Sequence, residues 1–263
     1  MEARTAPHDP AGLTRTLAEA GFLSAELEAA ELMAAAGGDP GRLDALVERR
    51  LTGEPLAWIT GHVRFCHLDL LIEPGVYVPR PHTELLAVRA VARLPQDGVA
   101  IDLCTGGGAV AAVLAAERPG ATIVATDMDE RAVECARQNG VDARLGRLFE
   151  PVPEQLEGEA DVVVGVVPYV PTRELALLQR DTFAFETPLA YDGGPDGLSL
   201  LRRVLAQAPR FLRVGGALLL ELGGDQVERL APELTRLGYA DITPILDEDD
   251  DERGVEARFA GRP

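Results

Sequence analysis

A glycine-rich segment between two apolar stretches constrains the fold of this chain more than any other feature. Residues 100–108 read AIDLCTGGG and continue into a helical pattern, and residues 124–127 read VATD. The first stretch predicts a buried strand that enters a tight turn, because glycine allows backbone conformations that other residues avoid. A strand, a glycine turn, a helix and a second strand ending in an acid are typical of the nucleotide-binding half of a doubly wound α/β sheet. The acid, Asp127, is then expected to accept hydrogen bonds from ribose hydroxyls.

The spacing of acids and glycines narrows the choice of ligand. Asp102 precedes Gly106 and Gly108, and Ala111 stands where the dinucleotide fingerprint has its third glycine. The pattern therefore argues against a bound pyrophosphate. It resembles the D-x-x-x-G-x-G motif of class I S-adenosylmethionine methyltransferases. That resemblance implies that Asp102 lies near the methionine end of the cofactor, that the two glycines pass under the adenosine, and that Asp127 binds the ribose.

Size and charge limit the classes of function. The chain has 263 residues, a formal net charge of −18 and no lysine. Nucleic-acid-binding proteins usually present basic patches, because neutralising phosphates supplies most of their non-specific affinity, so no nucleic-acid substrate is expected. No apolar run reaches the roughly 18 residues of a membrane span, and Cys66, Cys104 and Cys135 show no metal or redox spacing. We therefore expect a cytoplasmic protein without a metal ion or a membrane association.

The hydrophobic pattern divides the chain into three parts. Short amphipathic patterns predict a helical substrate-recognition domain at residues 1–60, and a β-rich alternation predicts a hairpin linker at residues 61–82. Strand and helix patterns alternate over residues 83–263, which predicts a mostly parallel, doubly wound sheet of seven strands. The predicted strands are 99–104, 122–127, 142–145, 161–166, 215–221, 240–245 and 255–260. The predicted helices are 11–20, 24–36, 40–52, 83–93, 108–117, 130–139, 197–211 and 225–237.

Three further segments resemble the release factor glutamine N5-methyltransferase family. Residues 75–86 read GVYVPRPHTELL, similar to the linker P-G-V-(F/Y)-V-P-R-P-x-T-E-x-L of that family. Residues 185–198 read FETPLAYDGGPDGL, similar to its E-P-x-x-A-L-x-G-G-x-D-G-L, and residues 221–226 match its E-x-G-x-x-Q. The resemblance covers about residues 11–260 and implies N-methylation that depends on S-adenosylmethionine. The further residues that it implies at the cofactor are Thr83, Cys104, Thr105, Met128 and Arg147.

The chain departs from this family at two positions. The family carries Asn-Pro-Pro-Tyr after the fourth strand, where this chain reads Val166-Val167-Pro168-Tyr169. In the family, the asparagine side chain and the next backbone carbonyl hold a planar amide in line with the methyl group, and positioning of this kind contributes several kcal/mol to catalysis. Valine can neither donate nor accept a hydrogen bond. Arg147 stands where the family usually has an aspartate near the adenine amino group.

The altered motif leaves three interpretations open. The first is a changed acceptor, a small-molecule guanidinium or amide nitrogen such as that of free arginine in specialised metabolism, because carboxylates bind guanidinium groups bidentately. The loop 166–169 would then position the acceptor and Glu186 would orient its nitrogen. The second is methylation of a release factor glutamine through backbone carbonyls alone, and the third is a non-catalytic protein that binds the cofactor. The sequence does not predict the oligomeric state. Other acids expected near the cleft are Glu84, Glu174, Asp181 and Asp192.

Overall fold

The structure, a computed structural model, describes residues 8–178 and 185–261. It divides into two compact units. The first comprises the described residues up to His62 together with Phe185, and the second comprises the remaining described residues.

Capping residues mark the helix ends of the first unit. Asp9 accepts a hydrogen bond from the Gly12 amide at 2.8 Å where the first helix begins, and Gly37, with a φ of 62°, ends the second. The apolar faces form one buried cluster that includes Leu32. Three helices match the predicted ones to within one residue at each end, and a fourth is too short to show a periodic pattern. The helices are α1 (Pro10–Glu19), α2 (Ala25–Ala36), α3 (Pro40–Leu51) and α4 (Leu56–Thr60).

The second unit contains a two-stranded hairpin and a seven-stranded sheet. The hairpin strands are β1 (His62–Phe65) and β2 (Leu68–Leu71), and the sheet strands are β3 (Val99–Leu103), β4 (Thr122–Asp127), β5 (Ala143–Leu145), β6 (Ala160–Gly165), β7 (Leu212–Glu221), β8 (Tyr239–Leu246) and β9 (Glu252–Phe259). The sheet order is β5-β4-β3-β6-β7-β9-β8. Neighbouring strands pair in parallel from β5 to β7, and β9 is antiparallel to both β7 and β8. The predicted doubly wound, mostly parallel sheet is confirmed.

Helices cover both faces of this sheet. They are α5 (Thr83–Arg93), α6 (Ala109–Glu117), α7 (Glu130–Gln138), α8 (Ser199–Gln207) and α9 (Gln226–Arg236). Because side chains alternate along a strand, Val163 of β6 packs in one apolar cluster with α8 and α9, while Val162 and Val164 pack in another with α5, α6 and α7. None of the described helices is long and apolar enough to cross a membrane.

Helix α8 is shorter than its predicted range of 197–211. It ends at Gln207 and is followed by a 3-10 turn, Ala208–Arg210. Pro209 lies inside this turn, and proline cannot donate the backbone hydrogen bond that would continue an α-helix. The apolar pattern continues through the proline, which explains why periodicity alone extends the helix too far.

The turn between β3 and α6 requires glycine at two positions. Gly106 and Gly108 have φ values of 55° and 84°, in the left-handed region that L-residues avoid. A Cβ on Gly108 would also lie 3.0 Å from the Cβ of Ala136 and from Cγ2 of Val141. The start of α6 therefore packs closely against α7 and the segment that follows it.

We expect alanine at Gly108 to lower the free energy of unfolding more than alanine at Gly140. Gly140 also has a left-handed φ, of 82°, but nothing lies within 4 Å of its added Cβ. Gly140→Ala should therefore cost only the backbone strain, about 1–2 kcal/mol, whereas Gly108→Ala adds the crowding against α7. Urea denaturation of both variants measures the difference, and equal losses would contradict the packing role of Gly108.

Candidate active site

A cavity lies at the carboxyl ends of the parallel strands in the second unit. Its volume is about 370 Å³, within the usual range for sites that bind small molecules. The wall combines the ends of β3, β4 and β6, the first turn of α7, residues 75–77, residues 146–148, residues 187–190 and one face of α8. Ligands of doubly wound sheets bind at this edge, so the cavity lies where the sequence pattern predicts a cofactor.

Asp127 ends β4 and lies in the cavity wall. Its Oδ2 accepts a hydrogen bond from the Gly106 amide at 2.9 Å, and its Oδ1 accepts one from the Asp129 amide at 3.0 Å. Burial raises the pKa of this carboxyl group, and the two amide donors oppose the rise. Because each carboxylate oxygen can accept more than one hydrogen bond, the side chain is held in place and can still bind a ligand hydroxyl.

The glycine turn contributes mainly backbone to the wall. Gly106 lines the cavity, and the Thr105 amide donates a hydrogen bond at 3.0 Å to the carbonyl of Thr126, which holds the turn against β4. Cys104 also lines the cavity. Burial raises the pKa of its thiol, so it stays protonated at neutral pH and is not an activated nucleophile.

Four of the predicted cofactor residues lie outside the cavity wall: Thr83, Asp102, Thr105 and Gly108. Asp102 is 1% exposed and accepts a hydrogen bond at 2.6 Å from the Thr105 hydroxyl. Burial raises the pKa of Asp102 to about 7, although hydrogen bonds from Thr105 and from the backbone of Ala111 oppose the rise. In the structure, Asp102 and Thr105 support the turn from behind the wall.

The loop 166–169 follows β6, and some of its residues line the cavity while others are buried in the core. Val166 and Pro168 line the cavity, whereas Val167 is completely buried in the apolar core. The Tyr169 hydroxyl donates a hydrogen bond to Glu221 at 3.2 Å. Of the four predicted residues in this loop, the structure therefore brings two into direct reach of a ligand.

Backbone contacts hold this loop in place. A parallel β-bridge joins Val170 to Asp192, and the Gly193 amide donates a hydrogen bond at 2.9 Å to the Val170 carbonyl. A Cβ on Gly193 would lie 2.8 Å from the carbonyl oxygen of Pro168 and from the Cα of Tyr169. The segment 192–198, which resembles the family's G-G-x-D-G-L, therefore packs its backbone directly on the loop.

Glu186 lies behind the wall and is engaged by other parts of the second unit. Its carboxylate is 1% exposed and accepts a hydrogen bond from the Val78 amide at 2.9 Å. The Arg80 guanidinium and the Tyr191 hydroxyl bind the same carboxylate. Glu186 does not line the cavity, so the geometry gives it partners other than an acceptor nitrogen.

Three of the other acids expected near the cleft, Glu84, Glu174 and Asp192, do not line the cavity either. Glu84 and Asp192 accept hydrogen bonds from a backbone amide and a threonine hydroxyl at 2.8 and 2.7 Å. Glu174 forms an exposed ion pair with its neighbour Arg173. Asp181 lies outside the described residues.

One region of the wall, on helix α8, carries no sequence signal. Met128 and Arg147 line the cavity as the resemblance implies, but Leu200 and Arg203 of α8 line it as well. Residues three apart share a helix face, yet which face of α8 meets the cavity depends on how the helix packs on the sheet. Thr187, Leu189 and Ala190 line the cavity too, and they lie in the stretch 185–198 that resembles the family.

The residues around the cavity fit an adenosine-containing cofactor. Glycine backbone lies on one side, Asp127 offers a carboxylate for hydroxyl groups, and Leu148 supplies apolar surface. Within residues 8–178 and 185–261, no three or more His, Cys, Asp or Glu side chains are placed to hold a metal ion. The cavity therefore offers contacts for an organic molecule with hydroxyl and apolar groups.

Comparison with known proteins agrees with this geometry. The family model of the methyltransferase small domain matches residues 70–169. The release factor glutamine methyltransferase of Geobacter sulfurreducens is 35% identical, over 92% of this chain and 93% of its own length. That of Neisseria gonorrhoeae is 39% identical over 78% of this chain and 77% of its own length.

A solved structure shares the fold. The 16S rRNA N2 G1207 methyltransferase of T. thermophilus, in complex with AdoMet and guanosine, has a TM-score of 0.52 and 21% sequence identity. The match covers 76% of this chain and 45% of that longer chain. At this identity the likeness concerns the fold, and it confirms the predicted class I methyltransferase sheet.

We expect the free energy of unfolding of the wild type to fall as the pH rises, and Asp102→Asn to remove this part of the pH dependence. The unfolded chain releases the Asp102 proton near 3.8 and the folded chain near 7, so the folded state binds this proton more tightly between the two values. Stability from this group is complete below the lower value and is lost as the pH rises through the upper one. Urea unfolding at about pH 5 and pH 8 should show the wild type losing stability relative to the variant. A constant difference between the two proteins would contradict this expectation.

Proposed function

Because this chain belongs to the release factor glutamine methyltransferase family, we propose that it methylates the side-chain nitrogen of a glutamine in a peptide chain release factor. The chain is an S-adenosylmethionine-dependent N-methyltransferase, as the sequence predicts. The observation that carries the choice of acceptor is the 35% identity that extends over 92% of the chain. This extent includes the regions outside the cofactor motif.

The relatives favour the second of the three interpretations of the sequence. The curated relatives described above carry the name of a release factor glutamine methyltransferase, and a small guanidine acceptor has no support among them. The position of Glu186 also argues against its pairing with a guanidinium acceptor, because its carboxylate is already bound by Arg80, Tyr191 and the Val78 amide. Absence of a nucleic-acid partner and a cytoplasmic location stay predictions.

Cofactor binding is assigned to the glycine turn and the end of β4. S-adenosylmethionine supplies, when bound, a methyl group on a positively charged sulphur. Asp127 is expected to bind the ribose hydroxyls, since both its oxygens are oriented by backbone amides. Gly106 is expected to let the backbone approach the nucleoside, and Met128 and Leu148 to contact it with apolar surface. Thr83 and Asp102 lie outside the cavity wall, so we expect them to affect cofactor binding indirectly, by holding the residues of the wall in place.

The acceptor amide is assigned to the loop 166–169. Among the described residues, the backbone carbonyl of Val166 accepts no backbone hydrogen bond in the loops. Val166 lies in the cavity wall, so this carbonyl is the one that we expect to accept an N–H group of a planar amide. Val166 and Pro168 exclude water beside it, which strengthens such a hydrogen bond. Without the asparagine the amide loses one acceptor, and we expect a slower enzyme than one that carries Asn-Pro-Pro-Tyr.

A methyl-transfer assay tests the proposed acceptor. The purified chain is incubated with labelled S-adenosylmethionine and either a release factor with a G-G-Q loop, the same factor with the loop glutamine replaced by alanine, or free arginine. We expect label only in the intact release factor. Label in free arginine would support the small-molecule interpretation instead. No transfer to any of them, with the cofactor still bound, would favour the non-catalytic interpretation.

Asp127→Ala is expected to weaken S-adenosylmethionine binding by about 10- to 100-fold. The physical reason is the loss of hydrogen bonds to a charged group, worth roughly 1.5–3 kcal/mol. Isothermal titration calorimetry measures the dissociation constant. Asp142→Ala is the matched control, because Asp142 is exposed and pairs with Arg144 outside the cavity. An unchanged affinity in Asp127→Ala would refute the ribose assignment.

Val166→Asn is expected to raise kcat for release factor methylation by about tenfold or more, because it restores a side-chain acceptor for the amide. The two side chains are similar in size, and Val166 already lies in the cavity wall. Val167→Asn is the control, since that side chain is completely buried and an amide there should lower stability without activating the enzyme. A kcat that stays unchanged in Val166→Asn would show that the acceptor is not held at this position.

A further inference from the structure

A buried carboxylate connects the loop 166–169, which we call the acceptor loop, with the N-terminus of α5. Glu221, the last residue of β7, is 1% exposed. Its Oε2 accepts a hydrogen bond from the Thr83 hydroxyl at 2.6 Å, and its Oε1 lies 3.2 Å from the Tyr169 hydroxyl and 3.3 Å from Nε2 of His82. We call Glu221, Tyr169, His82 and Thr83 the Glu221 cluster. Three segments that are distant in sequence meet at this one side chain.

The Glu221 cluster costs folding free energy, because it places a carboxylate in the interior. Burying a carboxylate removes its hydration, and the loss is offset only if hydrogen bonds replace the water. Among the described residues, His82 is the single basic side chain within 4 Å of Glu221, so two hydroxyl groups supply much of the compensation. A hydrophobic residue would pack at the end of β7 without this cost. The carboxylate therefore points to a role beyond the stability of the sheet.

The position of Glu221 in the sheet shows what that role can be. Gly165 of β6 is level with Leu220 of β7, so Glu221 lies beside the point where the acceptor loop leaves the sheet. Glu221 holds the hydroxyl of Tyr169, and Gln226 donates a hydrogen bond at 2.8 Å to the carbonyl of the same residue. The hydroxyl and the backbone carbonyl of Tyr169 are thus both held by one short segment, 221–226.

Burial and the negative charge of Glu221 raise the pKa of Tyr169. The hydroxyl therefore stays protonated and keeps donating its hydrogen bond to Glu221 throughout the neutral range. The same two causes raise the pKa of Tyr77, whose side chain lines the cavity. The carboxylate thus acts on Tyr77 in the cavity wall and on Tyr169 behind it.

We propose that Glu221 is a positioning residue for methyl transfer, which holds the acceptor loop in place through the hydroxyl of Tyr169. Glu221 itself does not line the cavity, so it acts on the wall at Val166 and Pro168 through Tyr169 rather than by contact with the acceptor. The inference rests on the proposed function, since the loop is taken to hold the acceptor amide. The ties to His82 and Thr83 attach the loop to α5 as well as to the sheet.

A double-mutant cycle tests the inference. Glu221→Gln, Tyr169→Phe and the double variant are compared with the wild type in release factor methylation. Each single change is expected to lower kcat by about 10- to 100-fold, because a small displacement of a positioning group is costly. Glu221→Gln leaves one acceptor oxygen for the two hydroxyls and removes the charge, and Tyr169→Phe removes the donor, so both changes act on the same link. The double variant should therefore lose little more kcat than the more impaired of the two single variants. The dissociation constant of S-adenosylmethionine should stay within about twofold.

Two matched controls separate positioning from stability. Tyr239→Phe removes another tyrosine hydroxyl, which donates a hydrogen bond at 3.2 Å to the Leu205 carbonyl. Glu256→Gln removes another buried carboxylate, which pairs with Arg89 and Arg93. Both residues lie outside the cavity wall, so both controls should keep the wild-type kcat. Independent, multiplying losses from Glu221→Gln and Tyr169→Phe, or an unchanged kcat in either, would overturn the proposal.

Amide hydrogen exchange at residues 166–170 provides a readout without turnover. We expect faster exchange in Glu221→Gln and Tyr169→Phe than in the wild type, and no change in the two controls. If the wild type fails to methylate the release factor, the proposed function fails, and this measurement still decides whether Glu221 holds the loop. If Glu221→Gln does not fold, Tyr169→Phe removes the same link by deleting one hydroxyl. Unchanged exchange in Tyr169→Phe would overturn the inference.

Discussion

Parallel pairing of β3 with β4 on one side and β6 on the other is the constraint on which the site depends. Leu103 is level with Thr126 and with Gly165, so three strands end at one edge of the sheet and three loops begin there. The glycine turn, Asp127 and the loop 166–169 are neighbours because of this register, even though they are far apart in sequence. A shift by one residue would turn the buried valines of β6 to the opposite face, and the helices on both faces would lose their packing.

Three buried carboxylates support the wall from behind, and each is stabilised in a different way. Asp102 has a pKa that burial raises, and it accepts a hydrogen bond from the Thr105 hydroxyl. Glu186 is paired with the guanidinium of Arg80, and Glu221 relies on hydroxyl groups and an imidazole. The second and third both bind the linker segment 78–83. The segment that resembles the family linker is therefore held against the loops of the cavity by two buried acids, Glu186 and Glu221.

Much of the fold could be predicted from the sequence because its signals are local. Period-two and period-3.6 patterns mark strands and helices to within a few residues, and the left-handed glycines identify the turn at β3. The residues that line the cavity were harder to predict from the sequence. Glu186 looks like a free acid in the sequence, and only the folded chain brings Arg80 and Tyr191 to it. Leu200 and Arg203 line the cavity because of how α8 packs on the sheet, a property that no local pattern encodes.

The contacts around Gly193 have a consequence for how such an enzyme diverges. The loop 166–169 takes its path from β-bridge pairing and from a glycine that packs against the backbone of Pro168 and Tyr169. Its shape is therefore imposed by neighbours rather than by the side chain at position 166, which faces the cavity. A gene that encodes such a scaffold can exchange this side chain while the buried Val167 and the glycine turn stay intact. Position 166 is therefore a place where the cavity wall can change at little cost to folding.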